Sequence, residues 1–270
     1  MTIINLQTLD TIQNYLSSDI IDIVLLLSLT LDKSHAQLIS HNNYQLSSNE
    51  KNQLNQFIKH RQSGVPFAYL SGTKGFYHLD FKVTPDTLIP RPETELLIDI
   101  ALGLFNQNQT YEVLDLGTGS GVIAITISDK NPNWNLTATD FSINALAVAK
   151  QNTKTNINFQ LGSWFEATPN QTFDLIISNP PYIKQNDIHL NELRFEPQSA
   201  LISGKDGLDD IQIIINNIPK FLNEKGYLLL EHGFNQQQKI IQLLKDNFFN
   251  IKKFKDYNQK NRAILAQIKH

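Results

Sequence analysis

The spacing of apolar positions divides the chain into a helical first part and a second part in which strands and helices alternate. From residue 1 to about 73 the apolar residues recur at helical spacing, and no strand-like alternation interrupts them. Ser47 and Glu50 form a capping box at the start of one helix, and Gly64 is expected to end it. The predicted helices of this part lie at residues 8–16, 19–31, 33–40 and from Ser47 to Gly64.

The stretch from residue 74 to 90 has a different pattern. It carries short alternating runs of apolar and polar residues and is punctuated by prolines. Such a pattern predicts an extended segment or β-hairpin. We therefore expect three parts: a helical domain over 1–73, a hairpin linker over 74–90 and a larger domain over 91–270.

In the larger domain, apolar runs typical of buried strands alternate with helical segments. Strands are predicted at residues 111–117, 135–140, 173–179, 226–232, 250–256 and 263–268. Helices are predicted after the first strand, from Ser142 to about Asn152, and over residues 211–222. Alternating strand and helix predict an α/β domain with a mostly parallel sheet and helices on both faces.

Composition narrows the class of protein further. The chain has 270 residues, 41% hydrophobic and 18% charged, which is typical of a globular protein with a sizeable core. The longest apolar stretch, Ile21 to Leu31, is shorter than the roughly 18 residues of a membrane span, and the first ten residues lack the features of a secretory signal. The absence of cysteine excludes disulfides and thiolate chemistry. We therefore expect a cytoplasmic protein.

Charge and histidine spacing bear on possible partners. The net charge is −3 and no dense run of Lys and Arg is present, which weakens the case for a nucleic-acid substrate. The seven histidines do not pair at metal-ligand spacing, so no metal site is predicted.

The first motif with chemical content follows the strand at 111–117. Its glycines allow a sharp turn and a close approach of the backbone to a ligand. The spacing is G-x-G-x-G, which differs from the G-x-G-x-x-G of dinucleotide enzymes and suits a nucleoside that carries no pyrophosphate, such as S-adenosylmethionine. A tight turn with packing glycines is the structural alternative. The predicted cofactor-binding residues of this motif are Gly117, Thr118, Gly119, Ser120 and Gly121.

The second element is Asp140, at the end of the next predicted strand and 21 residues after Gly119. A carboxylate at this place can accept hydrogen bonds from the two ribose hydroxyls of a nucleoside. The alternative is an exposed aspartate that caps the helix beginning near Ser142. The glycines upstream favour the nucleoside interpretation.

The third motif, Asn179-Pro180-Pro181-Tyr182, follows the strand at 173–179 and is the most specific in the chain. The prolines donate no N–H, so the loop offers two acceptors, the side-chain oxygen of Asn179 and the carbonyl of Pro180. Two acceptors at a fixed separation suit a planar NH2 group, and Tyr182 offers an aromatic face beside it. A simple proline turn is the alternative.

An amide nitrogen needs such a site because its lone pair is delocalised into the carbonyl group. Two hydrogen bonds polarise the NH2 group and aim it at the methyl group to be transferred. Asn179 and Pro180 are therefore the predicted catalytic residues, and Asn179 to Tyr182 the predicted substrate-binding loop. A strong general base is not required, because the sulfonium cofactor already activates the methyl carbon.

With these motifs the sequence resembles the HemK/PrmC family of release-factor glutamine N5-methyltransferases. The resemblance extends over nearly the whole chain. It is most specific at Ile89-Pro90-Arg91-Pro92-Glu93-Thr94-Glu95 and at Arg194-Phe195-Glu196-Pro197. Further similar runs are Gly64 to Gly72, the Asn179 to Tyr182 loop and Leu230 to Gly233.

The resemblance implies a helical N-terminal domain, a hairpin and a Rossmann-like, seven-stranded class I methyltransferase domain. It implies that Gly117 to Gly121, Asp140 and Trp164 hold S-adenosylmethionine, with Asn179 counted in both the cofactor and the substrate set. Asn179 to Tyr182 would hold the glutamine of the Gly-Gly-Gln loop of a peptide chain release factor. The sequence departs from the family at Ser163, where members often carry an acidic residue that can contact the adenine amine.

Two other functions are considered. Exocyclic amines of nucleic-acid bases present the same pair of donors, but an enzyme for them must also extract the base and bind phosphates. A non-catalytic cofactor-binding module would act through protein contacts, and the intact Asn179 to Tyr182 loop argues against it. No role for Arg91, Glu93 or Glu95 follows from the sequence.

Overall fold

The computed structural model describes residues 9–106 and 108–269. The chain divides into two compact units, with the division between Ser71 and Gly72. No helix in these described ranges is long and apolar enough to cross a membrane.

The described residues of the first unit form short and medium-length helices joined by turns, and these helices pack around a small apolar core. Its helices are α1 (Ile12–Leu16), α2 (Ile23–Leu31), α3 (His35–Ser40), α4 (Ser48–Gln62) and α5 (Phe67–Ser71). The capping box of Ser47 and Glu50 is present at the start of α4, and Gly64 has a φ of 98° just after its end. The first helix was predicted to begin at residue 8, which lies outside the described residues. Within the described residues α1 begins at Ile12, because Thr11 is extended and caps it.

The second unit opens with the predicted β-hairpin. Strands β1 (Thr73–Phe76) and β2 (Leu79–Lys82) pair in antiparallel fashion across a two-residue turn. The rings of Phe76 and Phe81 pack edge to face and belong to the apolar core of this unit. The hairpin is therefore part of the second unit rather than a separate spacer.

The rest of the second unit is the expected α/β domain, built on a seven-stranded sheet in the order β5-β4-β3-β6-β7-β9-β8. Strands β3 to β7 are parallel, and β9 lies antiparallel between β7 and β8. The strands are β3 (Glu112–Leu116), β4 (Asn135–Asp140), β5 (Asn158–Leu161), β6 (Phe173–Ser178), β7 (Leu222–Glu231), β8 (Phe248–Lys255) and β9 (Asn261–Ile268). The helices are α6 (Glu95–Leu104), α7 (Val122–Lys130), α8 (Ile143–Asn152), α9 (Asp209–Asn217) and α10 (Gln237–Leu244).

Six of these strands match the apolar runs of the sequence, whereas β5 was not predicted from them. Its four residues are exposed or half-buried, because β5 is an edge strand that pairs only with β4. It therefore lacks the buried apolar run that marks the interior strands. Helices α6 and α10 were also not predicted.

The sheet separates two apolar layers. Along β3, Val113 belongs to the layer beneath α6 and α7, whereas Leu114 and Leu116 belong to the opposite layer with α9 and α10. Successive side chains of a strand point to opposite faces, which is why one strand supplies both layers. The interior strands are thus covered on both sides, and their carboxyl ends remain available for a site.

Candidate active site

The glycine loop and the Asn179 loop leave the sheet side by side. Leu116 and Ser178 are the last partners in the parallel register of β3 and β6, and the Ser178 hydroxyl donates to the Leu116 carbonyl at 2.8 Å. The next residues are Gly117 and Asn179. The chain builds β3, β4 and β5 to one side and then returns to place β6 on the other, so this is the switch point at which open α/β sheets bind ligands.

The glycine loop turns tightly above the end of β3. The Thr139 carbonyl accepts from the backbone N–H groups of Gly117 and Thr118, both at 2.9 Å. Gly119 has a φ of 57°, and a Cβ there would meet open space, so its backbone faces a cavity. Gly121 has a φ of 88°, and a Cβ there would lie 2.6 Å from Ile125. Glycine at 119 therefore exposes backbone to a ligand, whereas glycine at 121 allows close packing against α7.

Asp115 ties this loop to the first turn of α7. One oxygen of its fully buried carboxyl accepts from the Thr118 hydroxyl at 2.6 Å and from the Ala124 N–H at 3.2 Å. Burial raises the pKa of Asp115 to about 7, although both hydrogen bonds act in the opposite direction. Within the same loop the carbonyl of Ser120, a buried residue, accepts from the Asn152 side chain at 2.9 Å.

Asp140 lies at the carboxyl end of β4, beside the glycine loop. One of its oxygens accepts from the Gly119 N–H and the other from the Ser142 N–H, both at 2.9 Å. Each carboxylate oxygen can accept more than one hydrogen bond, so both keep capacity for a ligand hydroxyl. Burial is the main cause that raises the pKa of Asp140, and the backbone N–H groups partly oppose it.

A cavity of about 560 Å³ lies against these residues. A volume of several hundred Å³ suits a small-molecule cofactor. Residues of the glycine loop, the Asn179 loop and the segment after the hairpin line it, among them Pro85, Asp86, Thr87, Leu88, Gly117, Gly119, Asp140, Phe141, Ser163, Trp164, Asn179 and Pro181.

Aromatic and apolar surface forms part of the cavity wall. Trp164 has a φ of 46°, and its ring would lie 3.6 Å from a Cβ on Gly117. Ser163 is exposed and also lines the cavity. Phe141 was not predicted as a site residue, but it lines the cavity with 60% of its surface exposed. Its position directly after Asp140 is the sequence signal that could have indicated it, and its exposure in the structure makes it a candidate.

Asn179 lies where two cavities meet. It lines the large cavity with Pro181, and it lines a second pocket of about 160 Å³ with Pro180 and Tyr182. Its side-chain NH2 donates to the Thr94 hydroxyl at 3.1 Å. The amide oxygen of Asn179 therefore points away from Thr94. A cofactor in the large cavity and a side chain in the smaller pocket would both contact this residue.

The runs Ile89 to Glu95 and Arg194 to Pro197 converge on the same region. Glu196 is buried, and one of its oxygens accepts from the Arg91 guanidinium at 2.5 Å. The other oxygen accepts from the Ile89 N–H at 3.0 Å. The Glu95 carboxylate accepts from the Tyr77 N–H at 2.7 Å and so ties α6 to the hairpin turn. Arg91 and Glu95 thus fix the segment from residue 85 to 91, which borders both cavities.

Hydrogen bonds fix both the backbone and the side chain of Tyr182. Its carbonyl accepts from the Gln236 side chain at 3.0 Å, and its hydroxyl donates to Glu231 at 3.2 Å. Burial and the neighbouring Glu231 carboxylate raise the pKa of Tyr182, so the phenol stays protonated and acts as a donor. The loop is therefore fixed before any substrate arrives.

Comparison with known proteins adds two domain matches. Residues 94–195 match the methyltransferase small domain, and residues 10–72 match the PrmC N-terminal domain. A methyltransferase from Pyrococcus furiosus superposes with a TM-score of 0.55 at 18% identity, covering 77% of this chain and 98% of that one. The Thermus thermophilus 16S rRNA N2 G1207 methyltransferase superposes with a TM-score of 0.56 at 16% identity, covering 73% and 50%. These two structures show the fold.

Relatives with higher identity show the family. Release factor glutamine methyltransferase from Coxiella burnetii is 41% identical over 252 residues, covering 92% of this chain and 91% of the relative. The protein of the same name from Aliivibrio fischeri is 38% identical over 255 residues, covering 92% and 89%. The fold and the site define a class I methyltransferase, a class that takes its methyl group from S-adenosylmethionine. Within that class, the chain belongs to the release factor glutamine methyltransferase family.

Proposed function

We propose that this protein transfers a methyl group from S-adenosylmethionine to the side-chain amide nitrogen of the glutamine in the Gly-Gly-Gln motif of peptide chain release factors. The observation that carries the proposal is the position of Asn179 at the meeting point of two cavities. One cavity has the size of a cofactor site and the other that of a single side chain. Family membership supports glutamine as the substrate rather than the exocyclic amines of nucleic-acid bases.

In this proposal, the large cavity holds the cofactor through residues of two strand ends. The exposed backbone of Gly119 accommodates close approach, and Asp140 accepts from the ribose hydroxyls. Trp164 and Phe141 supply apolar surface for the adenine, while Ser163 offers a hydroxyl in place of the usual acid. S-adenosylmethionine supplies a methyl group already activated by its sulfonium.

The smaller pocket would hold the glutamine side chain. The Asn179 oxygen and the Pro180 carbonyl accept from the two N–H donors of its NH2 group, which raises the electron density on nitrogen. Tyr182 packs beside the amide. Its ring is held in place because its hydroxyl and its carbonyl are both bonded to other residues. The rigid loop thus orients a weak nucleophile and confines it near the methyl carbon.

We place the reaction in the cytoplasm, where release factors work. We expect no nucleic-acid substrate, because the chain carries a net charge of −3 and no dense basic run.

Radiolabelled methyl transfer tests the proposed function directly. Purified release factor, tRNA, rRNA and DNA are offered in parallel with labelled cofactor, and a release factor whose Gly-Gly-Gln glutamine is replaced by alanine serves as control. We expect label on the intact release factor alone. Label on a nucleic acid, or equal label on the control factor, would contradict the proposal.

We further propose that the helical first unit recognises the release factor, because every predicted chemical residue lies at or beyond Gly117. A shortened chain that begins at Gly72 is expected to bind S-adenosylmethionine with unchanged affinity if it folds, and to methylate release factor poorly. Calorimetry and steady-state methylation measure the two properties. Equal methylation by the short and full chains would show that the first unit has another role.

A further inference from the structure

Asn179 is the end of a continuous hydrogen-bond chain that runs into the core of the second unit. Its side-chain NH2 donates to the Thr94 hydroxyl at 3.1 Å, and the Thr94 hydroxyl donates to Glu231 at 2.8 Å. The other oxygen of Glu231 accepts from the Tyr182 hydroxyl at 3.2 Å. Thr94 and Glu231 are almost completely buried, with 2% and 1% of their surfaces exposed.

The direction of each hydrogen bond in this chain follows from chemistry. When its carboxyl is ionised, Glu231 only accepts, so it draws the single hydroxyl proton of Thr94 toward itself. The Thr94 oxygen is then left to accept, and a group that meets it must donate. Of the two ends of the Asn179 amide, only the NH2 can do so. The amide oxygen, which must accept from the substrate, is thereby directed away from Thr94.

We propose that Thr94 and Glu231 are positioning residues for methyl transfer, because they fix which end of the Asn179 amide faces the reacting nitrogen. This inference rests on the proposed function, since it requires Asn179 to accept from a substrate NH2 group. A flipped amide would present a donor to a donor and repel the substrate. The same carboxylate also holds Tyr182, so Glu231 orients two side chains of the loop at once.

The environment of Glu231 explains how a buried carboxylate can accept from Thr94 and Tyr182. Burial, with a smaller contribution from Glu93, raises the pKa of Glu231 to about 7, whereas Thr94, Arg262 and Tyr182 favour its ionised form. The ionised form that this arrangement requires therefore prevails above about pH 7. Arg262 is itself held by two hydrogen bonds to Asp256, each at 3.1 Å. The hydroxyls of Thr94 and Tyr182 compensate part of the cost of burying the charge, and this leaves both committed as donors.

The decisive variants are Thr94→Val and Thr94→Ser. Valine keeps the shape of threonine but neither accepts from Asn179 nor donates to Glu231, whereas serine keeps the hydroxyl. In single-turnover methylation of release factor, Thr94→Val is expected to slow transfer by about 10- to 100-fold, because misorientation at a reacting centre can cost about 10²-fold. Thr94→Ser should stay within about threefold of wild type, and the affinity of both variants for cofactor and release factor should change little.

A double variant separates positioning from a merely structural role. If Thr94 acts through Asn179, then Thr94→Val adds no further loss of rate in an Asn179→Ala background. An additional loss of the same size as in the wild-type background would overturn the proposal. Thr126→Val is the matched control, because Thr126 is fully buried in α7 and its hydroxyl has no hydrogen-bond partner among the described residues. It removes a buried hydroxyl without breaking a hydrogen bond among the described residues, so transfer should keep its rate.

Glu231→Gln tests the other residue. A glutamine head group has one oxygen, so it cannot accept from both Thr94 and Tyr182 in the present arrangement. We expect transfer to slow by about tenfold or more, on the scale of variants that disturb the groups supporting a site. A rate equal to that of wild type would remove Glu231 from the proposal.

A measurement without substrate keeps the proposal testable if the proposed function fails. In ¹⁵N-labelled protein, the Asn179 side-chain amide signals are assigned by their loss in Asn179→Ala. Their hydrogen exchange should be slow in wild type and Thr94→Ser and fast in Thr94→Val. Wild-type protein that transfers no methyl to release factor would overturn the proposed function. Unchanged amide exchange in Thr94→Val would overturn the positioning role, and so would unchanged methyl transfer by Thr94→Val when the wild-type enzyme is active.

Discussion

Replacing Asn179 with alanine is expected to lower the rate of methyl transfer by about 10²–10³, the usual loss when one preorganised polar contact at a reacting centre is removed. Only the Pro180 carbonyl would then accept from the reacting NH2 group. The amide could rotate, and its nitrogen would lose polarisation. Affinity for the release factor should fall much less, because most of a protein interface lies outside one amide.

Asn179→Asp is the matched variant. Aspartate keeps an acceptor oxygen and nearly the same shape, so it should retain more activity than alanine. It cannot donate to Thr94, however, and its charge lies about 3 Å from that hydroxyl, so it should not reach the wild-type rate. Single-turnover methylation with saturating cofactor separates chemistry from binding. An alanine variant that transfers methyl at the wild-type rate would show that the proposed mechanism is wrong.

The fold and the placement of the main motifs were accessible from sequence because their signals are local. Buried strands appear as apolar runs, and a motif that follows such a run lies at the carboxyl edge of the sheet. Gly117 and Asn179 were each predicted at the end of a buried strand, and they directly follow β3 and β6, which are neighbours in the sheet. The capping box at Ser47 is likewise a local pattern, and it appears as predicted.

The contacts that hold the site in place were not accessible, because they join residues far apart in the chain. Thr94 is hydrogen-bonded to Glu231, which is 137 residues away in the sequence, and to Asn179, which is 85 residues away. Glu196 is hydrogen-bonded to Arg91, 105 residues away. Nothing in the spacing of a threonine and a glutamate indicates such a pairing. Their proximity follows from the strand order, in which β6 and β7 are neighbours and α6 packs against β7.

The second large effect is expected for Asp140→Ala, which should weaken cofactor binding by about 1.5–3 kcal/mol, the scale of hydrogen bonds to a charged group. At 1.4 kcal/mol per factor of ten, this corresponds to a roughly 10- to 150-fold higher Kd in calorimetry. Unchanged affinity would remove Asp140 from the site. A fall in affinity alone is ambiguous, however, because the Asp140 carboxylate also accepts from Gly119 and therefore shapes the glycine loop.

A ligand that lacks the ribose hydroxyls resolves this ambiguity. S-adenosylhomocysteine and its 2′,3′-dideoxy analogue are titrated into wild type and Asp140→Ala, which gives a double cycle between one side chain and one part of the ligand. If Asp140 accepts from the hydroxyls, the alanine variant loses affinity for the natural ligand but not for the analogue. If Asp140 only supports the backbone of Gly119, both ligands lose affinity equally. We expect the first result, because both carboxylate oxygens retain capacity to accept after bonding to Gly119 and Ser142.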